Sequence, residues 1–288
     1  MNRVGLQRSP SGSWPYRRPQ ERLSAADIFA AEIVAKNVAA RGGLDAWRKV
    51  ETMVWIGHIE SAHAPLPRMQ FKLEQKRPNK TRLQLNALGD KSVRAFDGMH
   101  GWKLRPAHGR PEVQPYAPQE LKFAQAGHGI DGPLIDYAAK DNSVTLESVD
   151  QIGERKAYHL NVRLAKGGTE DVWVDTMTYL DIRYDRMADG LAGAPRRVSA
   201  IYGDYRTVEG LQIPFLIETG AGLGMTPDKM QIETVVLNAP LDDSTFENPA
   251  APHSRNRGRL SVVPQAPAPA ALSTAPSAAS EERGPAPQ

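Results

Sequence analysis

Residues 196–219, RRVSAIYGDYRTVEGLQIPFLIET, decide the fold of this chain. From Leu211 to Ile217 every second side chain is large and apolar, and Leu216 is the exception to the alternation. A period of two residues indicates a β-strand with one buried face. Glu209-Gly210 supplies the turn before this strand, because glycine readily takes positive φ. The stretch therefore predicts a long antiparallel hairpin with one apolar face.

The first arm of this hairpin predicts curvature. It alternates through Val198, Ala200 and Tyr202, loses the phase at Gly203 and regains it at Tyr205. A glycine inside a strand pattern indicates a β-bulge, and a bulge bends the sheet that contains it. The apolar face is therefore expected on a curved ribbon.

The same period recurs from about residue 52 to residue 237 at intervals typical of an all-β sandwich or barrel. About eleven strands are predicted, so the fold class is mainly β (α+β). Helices are predicted at 24–41, at 44–49 and at 118–126, where proline opens and Gly127 closes the last one. So few short helices leave much of the apolar face of a curved sheet without an obvious cover, which favours a ligand cavity on the concave side.

Composition separates a folded middle from two different ends. Residues 1–20 are rich in Arg, Pro, Ser and Gly, and residues 250–288 in Pro, Ala and Ser. Such segments lack the apolar residues that a core needs, so both ends are predicted to be disordered around a single domain at 21–249. The net positive charge lies in the ends: the whole chain is +3, whereas the middle is about −3. A weakly acidic domain is unsuited to nucleic acid.

Residues that often carry chemistry are few. The chain has no cysteine, which excludes disulfides, zinc-thiolate sites and thiol nucleophiles. Of the seven histidines, those nearest to other candidate groups are His58, His100 and His128, with Asp97 and Asp131 as possible partners. None has a recognised metal-ligand spacing. No catalytic residue, metal or cofactor is therefore predicted, and an apolar cavity without catalytic groups suits acyl chains, which gain about 0.8 kcal/mol per buried methylene.

Six motifs carry a resemblance to a known family, and they span about residues 37–248. In order they are A-R-G-G-L-D-A-W (40–47), K-R-P-N-K (76–80), F-D-G-x-x-G-W (96–102), D-G-P-L-I-D-Y (131–137), Y-G-D-Y-R (202–206) and L-N-x-P-L-D-D-S-x-F (237–246). With these motifs the chain resembles bacterial outer-membrane lipoprotein-sorting proteins of the LolA type.

The resemblance implies an unclosed, strongly curved antiparallel β-barrel whose helices form a lid over an apolar cavity for lipid chains. It implies a monomeric periplasmic carrier of lipid or lipoprotein that exchanges cargo with an inner-membrane transporter and an outer-membrane acceptor, and it implies no integral membrane domain. No signal peptide is visible in the first residues. Two explanations are compatible with this: a start site assigned to the wrong residue, or a cytoplasmic location. On this basis the candidate cavity residues are Phe29, Ile33, Val34, Trp55, Phe71, Leu73, Leu83, Leu85, Trp102, Leu160, Val162, Phe215 and Ile217.

Two of these residues and one loop have particular expected roles. Trp55 and Trp102 are expected at the rim, where an indole ring can contact lipid and water together. The glycine-rich loop 127–133 is expected to act as a mobile flap over the cavity.

Two other functions remain compatible with the sequence. A sensing or scaffold module on the same fold would bind a protein partner along a free sheet edge, and it predicts a long unpaired strand and a filled interior. An enzyme would need His58, His100 or His128 close to Asp97 or Asp131. The carrier instead predicts a contiguous apolar cavity of several hundred Å3, roughly the size of known ligand pockets.

Overall fold

The computed structural model describes residues 25–62, 66–107, 110–127, 129–189, 195–220 and 226–250. His128 and most of the two segments predicted to be disordered lie outside these residues.

One antiparallel sheet of thirteen strands forms the described part of the chain. Its strands are β1 Thr52–Glu60, β2 Arg68–Lys76, β3 Lys80–Ala87, β4 Asp90–Phe96, β5 Gly101–Ala107, β6 Arg110–Pro115, β7 Ser143–Ile152, β8 Arg155–Arg163, β9 Thr169–Asp175, β10 Asp181–Asp189, β11 Pro195–Val208, β12 Leu211–Gly220 and β13 Asp228–Leu237. The spatial order is β6-β5-β4-β3-β2-β1-β13-β12-β11-β10-β9-β8-β7. The edge strands β6 and β7 do not pair with each other, so the predicted unclosed, mainly β architecture is confirmed, with two strands more than expected. The sequence pattern does not predict β6, because prolines at positions 111 and 115 disguise it.

Three helices accompany the sheet: α1 Ala25–Ala40, α2 Leu44–Arg48 and α3 Pro118–Ala126. Gly42 and Gly43 end α1 with φ of 111° and 89°, a conformation that favours glycine. A side chain at Gly42 would lie 2.5 Å from the carbonyl oxygen of Gly210, so the end of α1 rests directly on the β11–β12 turn. The backbone N–H of Gln212 donates a hydrogen bond to the backbone carbonyl oxygen of Arg41 (3.1 Å) and fixes this contact.

The predicted hairpin is present as β11 and β12. Glu209 and Gly210 form its turn with φ of 47° and 86°. Two positive φ values are typical of a type I′ turn, whose twist matches that of the flanking strands. The pairing from Ser199–Gly220 to Val208–Leu211 keeps one register, so the bulge predicted at Gly203 is wrong. Asp204 takes a left-handed φ of 48° instead, and this residue interrupts the alternation.

Register shifts that bend the sheet lie elsewhere. In the β1–β13 pair, Ile56 faces Thr234 and the next residue, Gly57, faces Ile232, so β13 has one extra residue at this point. A Cβ on Gly57 would overlap the carbonyl oxygen of Gln231. Gly57 therefore allows the close backbone approach that the bulge requires.

The inner face of the sheet, defined as the face that bears Trp55 and Ile217, is covered by α1, α2 and the turns of residues 129–141. Two apolar clusters fill the space between cover and sheet. The first core cluster lies under α2 and contains Trp47, Met53, Trp55, Phe71, Leu73, Leu83, Ile130, Ile135, Leu211, Ile213, Phe215 and Ile217, among others. The second core cluster lies under α1 and contains Ala30, Ile33, Val34, Leu134, Val144, Leu160, Val162, Val172, Val174 and Tyr184.

The outer face carries a third cluster, and this corrects the expectation for Trp102. Trp102 faces Ala95, which faces Arg82, and Arg82 pairs with Glu74. Directly paired residues share a face, and Glu74 is adjacent to Leu73 on β2, so Trp102 lies on the face opposite to Trp55 and the first core cluster. It is 6 % exposed, packs with Val93 and Ala95, and does not form a rim of the concave side.

The chain after β13, residues 238–250, crosses the outer face from β1 towards β5. Thr52 Oγ1 donates to the carbonyl oxygen of Ala239 (2.6 Å), Lys76 to that of Leu241 (2.6 Å), and the Trp102 indole N–H to that of Phe246 (2.8 Å). Phe246 is fully buried. This C-terminal segment therefore seals the third cluster from water.

Candidate functional site

A central pocket of about 70 Å3 lies where the two inner core clusters meet. Its cover is the end of α1, α2 and the start of the 129–141 turns, and its floor comes from β1, β2 and β9–β12. The lining residues are Arg41, Trp47, Trp55, Gln75, Gly129, Ile130, Gly132, Pro133, Val172, Asp181, Tyr184, Tyr202, Tyr205, Ile213, Pro214 and Ile217. The pocket is therefore mainly aromatic and aliphatic, with a few polar groups.

A buried ion pair forms one wall of the central pocket. Arg41 Nη1 lies 3.1 Å from Asp181 Oδ2, and both side chains are about nine-tenths buried. Asn37 Nδ2 donates to Asp181 Oδ1 (2.8 Å), and the guanidinium stacks on the Trp47 ring at 4.6 Å. Trp47 in turn donates its indole N–H to the carbonyl oxygen of Arg41 (3.0 Å). These contacts tie α1 and α2 to β10.

A second charge network holds the 129–141 turns over the pocket. Asp131 is 3 % exposed and accepts from Arg77 (2.9 Å) and from Lys140 (2.9 Å). Burial lowers the pKa of Lys140, and the Asp131 carboxylate opposes that effect. Arg48 on α2 donates two hydrogen bonds of 2.8 Å to Asp136 and thereby lowers the pKa of its carboxyl. Residues 129–133 of the loop expected as a flap are thus largely buried, and Asp131 and Gly132 are held by side-chain contacts.

Three tyrosines contribute uncharged hydroxyl groups to the floor of the central pocket. Burial raises the pKa of Tyr184, Tyr202 and Tyr205, so their hydroxyls stay protonated at any physiological pH. Tyr205 donates its hydroxyl to the carbonyl oxygen of Asp181 at 2.8 Å. The floor therefore offers neutral aromatic surface beside the Arg41–Asp181 pair.

The predicted cavity residues divide into groups. Only Trp55 and Ile217 line the central pocket. The others on the inner face pack in the two clusters: Phe71, Leu73, Leu83 and Phe215 in the first with Leu85 at its border, and Ile33, Val34, Leu160 and Val162 in the second.

Phe29 is a further correction. Its side chain is 58 % exposed, so the expected inward orientation is wrong. Neighbouring positions on α1, Ala30, Ile33 and Val34, supply the buried stripe instead. A broad apolar stripe on a helix does not show which of its residues face the core. Phe29 lies at the edge of the stripe, outside the part that packs on the sheet.

Polar pocket residues escape an analysis based on apolar alternation. Arg41, Gln75 and Asp181 line the pocket, and none has a side chain that a hydrophobic pattern selects. Their available signal is position: Arg41 belongs to the A-R-G-G-L-D-A-W motif, and Gln75 interrupts the inward-facing row of Phe71 and Leu73 on β2. A polar residue in phase with buried ones indicates a specific partner.

The candidate catalytic groups are held in separate contacts, and His58 and Asp131 are buried. His58 contacts Glu233 (2.8 Å) and Glu60 (3.5 Å). His100 lies 3.6 Å from Asp97 in an exposed turn. Within the described residues, no three His, Asp or Glu side chains form a group that could hold a metal ion.

One edge of the sheet is long. β7 has ten residues and pairs only with β8 among the described strands. Val149 on this strand is 56 % exposed, and a register shift between Leu146 and Ser148 interrupts the pairing with β8. Backbone groups of an edge strand are open to pairing with another chain.

Among the described helices, none combines the length and the apolar composition that a membrane crossing requires.

No protein-family model matches the sequence, and no curated protein matches it. Among solved structures, the chain is similar to a putative outer membrane lipoprotein-sorting protein domain from Vibrio parahaemolyticus, with a TM-score of 0.50, 10% identity and coverage of 76% of this chain and 97% of that one. It is similar to a DUF1329 family protein from Desulfovibrio piger, with a TM-score of 0.51, 13% identity and coverage of 77% and 98%. A LolA superfamily protein from Nitrosomonas europaea aligns with a TM-score of 0.47 at 13% identity over 76% and 97%. The chain has a LolA-like fold, and the expected resemblance is confirmed at that level.

Proposed function

We propose that this protein is a non-catalytic carrier that binds the acyl chains of a lipid or lipoprotein on the inner face of its sheet. The observation that carries the proposal is the position of the central pocket, which lies between two apolar clusters and directly beneath the helical cover. An acyl chain that enters at this point meets apolar side chains in both directions. Each buried methylene contributes about 0.8 kcal/mol.

The pocket alone is too small for such a chain, because about 70 Å3 is well below the roughly 300–1,000 Å3 of known ligand sites. The central pocket does not supply the several hundred Å3 expected from the sequence, so the carrier requires displacement of the cover. Gly42 and Gly43 join α1 to α2 with positive φ, and they form the natural hinge for such a movement. The surface exposed by the movement would be Ile33, Val34, Trp55, Phe71, Leu73, Leu83, Leu85, Leu160, Val162, Phe215 and Ile217.

The cellular setting is part of the same proposal. A solved structure with this fold is described as an outer membrane lipoprotein-sorting domain. By analogy, the protein would work as a monomer in the periplasm, receive its cargo from an inner-membrane transporter and deliver it to an outer-membrane acceptor.

The test is the amount of lipid that the full chain retains. After incubation with phospholipid vesicles and re-isolation, native mass spectrometry is expected to detect protein with bound lipid. Ile217→Gln places a polar group in the pocket wall and is expected to lower the retained lipid several-fold. Leu216→Gln changes the adjacent residue on the opposite face and serves as the matched control. A wild-type chain without bound lipid would contradict the carrier.

The β7 edge supports a second candidate function, a module that binds an extended protein segment by strand addition. Val149→Lys introduces a charge that blocks edge pairing. This function predicts that Val149→Lys abolishes cross-linking of a partner from a photoreactive residue on β7, whereas Ile217→Gln has no effect. The carrier predicts the reverse dependence for lipid retention.

A further inference from the structure

Two buried N–H donors in the central pocket have no acceptor among the described residues, and the Tyr184 hydroxyl beside them has no partner there either. The two donors are Arg41 Nε and Gln75 Nε2, which belong to side chains of residues 8 % and 2 % exposed. Both residues line the pocket. An unmade hydrogen bond from a buried donor is unfavourable, so the pocket suits a molecule that brings an acceptor.

The orientation of the Gln75 amide follows from chemistry. The Trp55 indole nitrogen lies 3.1 Å from Gln75 Oε1, and an indole N–H can only donate. The amide oxygen is therefore occupied by Trp55, and the NH2 group is the end without a partner. Gln75 therefore presents its NH2 group to the pocket as a hydrogen-bond donor, while its amide oxygen is bonded to Trp55.

Charge selects among possible acceptors. The positive charge of Arg41 is already balanced by Asp181 at 3.1 Å, and the tyrosine hydroxyls around it are neutral. A carboxylate or phosphate would find no uncompensated cation among the residues that line the pocket and would lie beside the Asp181 anion, which is costly in a buried site. A neutral carbonyl oxygen can accept from either donor without that cost.

We propose that the central pocket binds the carbonyl group of an ester- or amide-linked acyl chain. This inference rests on the proposed carrier function and defines its ligand class. The volume agrees with it, because about 70 Å3 corresponds to roughly two water molecules, enough for the polar link but not for the chain. The carbonyl is then the fixed point, and the chain extends from it along the inner clusters as the cover moves.

The direct test compares three small probes: methyl octanoate, octanoate and pentylbenzene. The ester and pentylbenzene have the same number of non-hydrogen atoms, and octanoate has the same acyl chain with a charge. Quenching or enhancement of tryptophan fluorescence reports binding, since Trp47 and Trp55 line the pocket. We expect the ester to bind the wild-type chain about five- to tenfold more tightly than either of the other probes, the gain of one or two buried hydrogen bonds.

Two variants of Gln75 isolate the donor. Gln75→Leu removes the whole amide, whereas Gln75→Glu keeps an acceptor for Trp55 and replaces the NH2 donor by a second carboxylate oxygen. Both are expected to abolish the preference for the ester over pentylbenzene. Gln84→Leu is the matched control, because Gln84 is a part-buried glutamine on β3 that bonds Arg82 and Asn86 away from the pocket; this variant is expected to keep the preference.

The outcomes separate this inference from the carrier function. Equal binding of ester and pentylbenzene to the wild type, or a preference that survives in both Gln75 variants, overturns the carbonyl site but leaves the carrier intact. Tighter binding of octanoate than of the ester overturns it as well, in favour of an anion. If none of the probes binds and no lipid is retained, the carrier function itself fails.

Discussion

Arg41 is the residue at which helix, cover and sheet are joined. It pairs with Asp181 of β10, stacks on Trp47 of α2 and lies within 3.5 Å of the carbonyl oxygen of Asp131. A buried pair of this kind contributes little net stability while it is intact, but it fixes which surfaces meet. The position of α1 over the pocket therefore depends on a few polar contacts as well as on apolar packing.

Replacement of Asp181 tests this dependence. Asp181→Asn leaves the Arg41 guanidinium buried without its counter-charge, and we expect a loss of about 3–5 kcal/mol in the free energy of unfolding, measured with urea. Asp204→Asn breaks the solvent-exposed pair with Arg206 and is expected to cost less than about 1 kcal/mol. Similar losses in the two variants would contradict the role of the buried pair.

Asp243 adds a pH dependence to the C-terminal segment. Hydrogen bonds from Lys80 and Lys76 lower the pKa of its carboxyl. A carboxyl whose folded pKa is lowered contributes stability above its unfolded pKa, near 4, and loses that contribution as pH falls through the folded value. Asp243→Asn is therefore expected to be less stable than the wild type at pH 7, by about 0.5 kcal/mol after solvent screening.

The sign of this effect is checked by urea unfolding at several pH values. The difference between wild type and Asp243→Asn should shrink from about pH 4 downward. Asp242→Asn, at the neighbouring position without a side-chain capping bond, should follow the wild type. A difference that stays constant or grows in acid would rule out the lysine contacts as its cause.

Curvature of the sheet belongs to the scale of the elements. The sequence places a glycine inside β1 and another inside β11, and only the first lies at a register shift. The reason is the partner strand: at Gly57 the backbone of β13 comes too close for a side chain, whereas at Gly203 the nearest atom would be 3.6 Å away, on the side chain of Leu216. Gly57 is therefore required for steric reasons, whereas the site of Gly203 has space for a Cβ atom.

The two glycines therefore respond differently to alanine. Gly57→Ala is expected to destabilise the protein by about 1–3 kcal/mol or more, because the backbone of β13 must shift. Gly203→Ala makes an ordinary contact and is expected to change stability by less than about 1 kcal/mol, in either direction. Thermal unfolding of the two variants measures the difference, and equal midpoints would contradict the close approach at Gly57.

The whole molecule is closed by contacts between distant parts of the chain. β1 pairs with β13, so Met53 faces Leu237 in the middle of the sheet. Just after this pair, the C-terminal segment crosses the outer face and buries Phe246. The folded unit therefore needs residues from both ends of the described chain.

Two truncations test where this unit ends. Removal of residues 251–288 is expected to leave the free energy of unfolding unchanged, because their composition offers no core. Removal of residues 238–288 also deletes Phe246 and uncovers the third cluster, with an expected loss of about 3–5 kcal/mol. Acrylamide quenching should show greater access to tryptophan only in the second case. Equal stability of the two truncated chains would contradict a sealing role.

Local patterns in the sequence determined most of the strands, the short helix at 118–126, the Glu209-Gly210 turn and the shared inward face of Leu211, Ile213, Phe215 and Ile217. These features depend on neighbours a few residues apart, so periodicity and turn chemistry are sufficient to predict them. The LolA-like fold followed from six ordered motifs. The polar residues of the pocket did not follow, because alternation selects apolar positions only.

Tertiary structure alone decided three things: the pairing of β1 with β13, the outer position of Trp102, and the meeting of Arg41, Gln75 and Asp181 around one pocket. Each depends on how segments of the chain come together in space. Among the described strands, β1 and β13 are the one neighbouring pair that is not consecutive in the chain, and its partners lie more than a hundred positions apart. Alternation with a period of two residues shows that a strand has two different faces. It does not show which face becomes the inside. That choice is made when the cover packs on one side, because only then does water leave it.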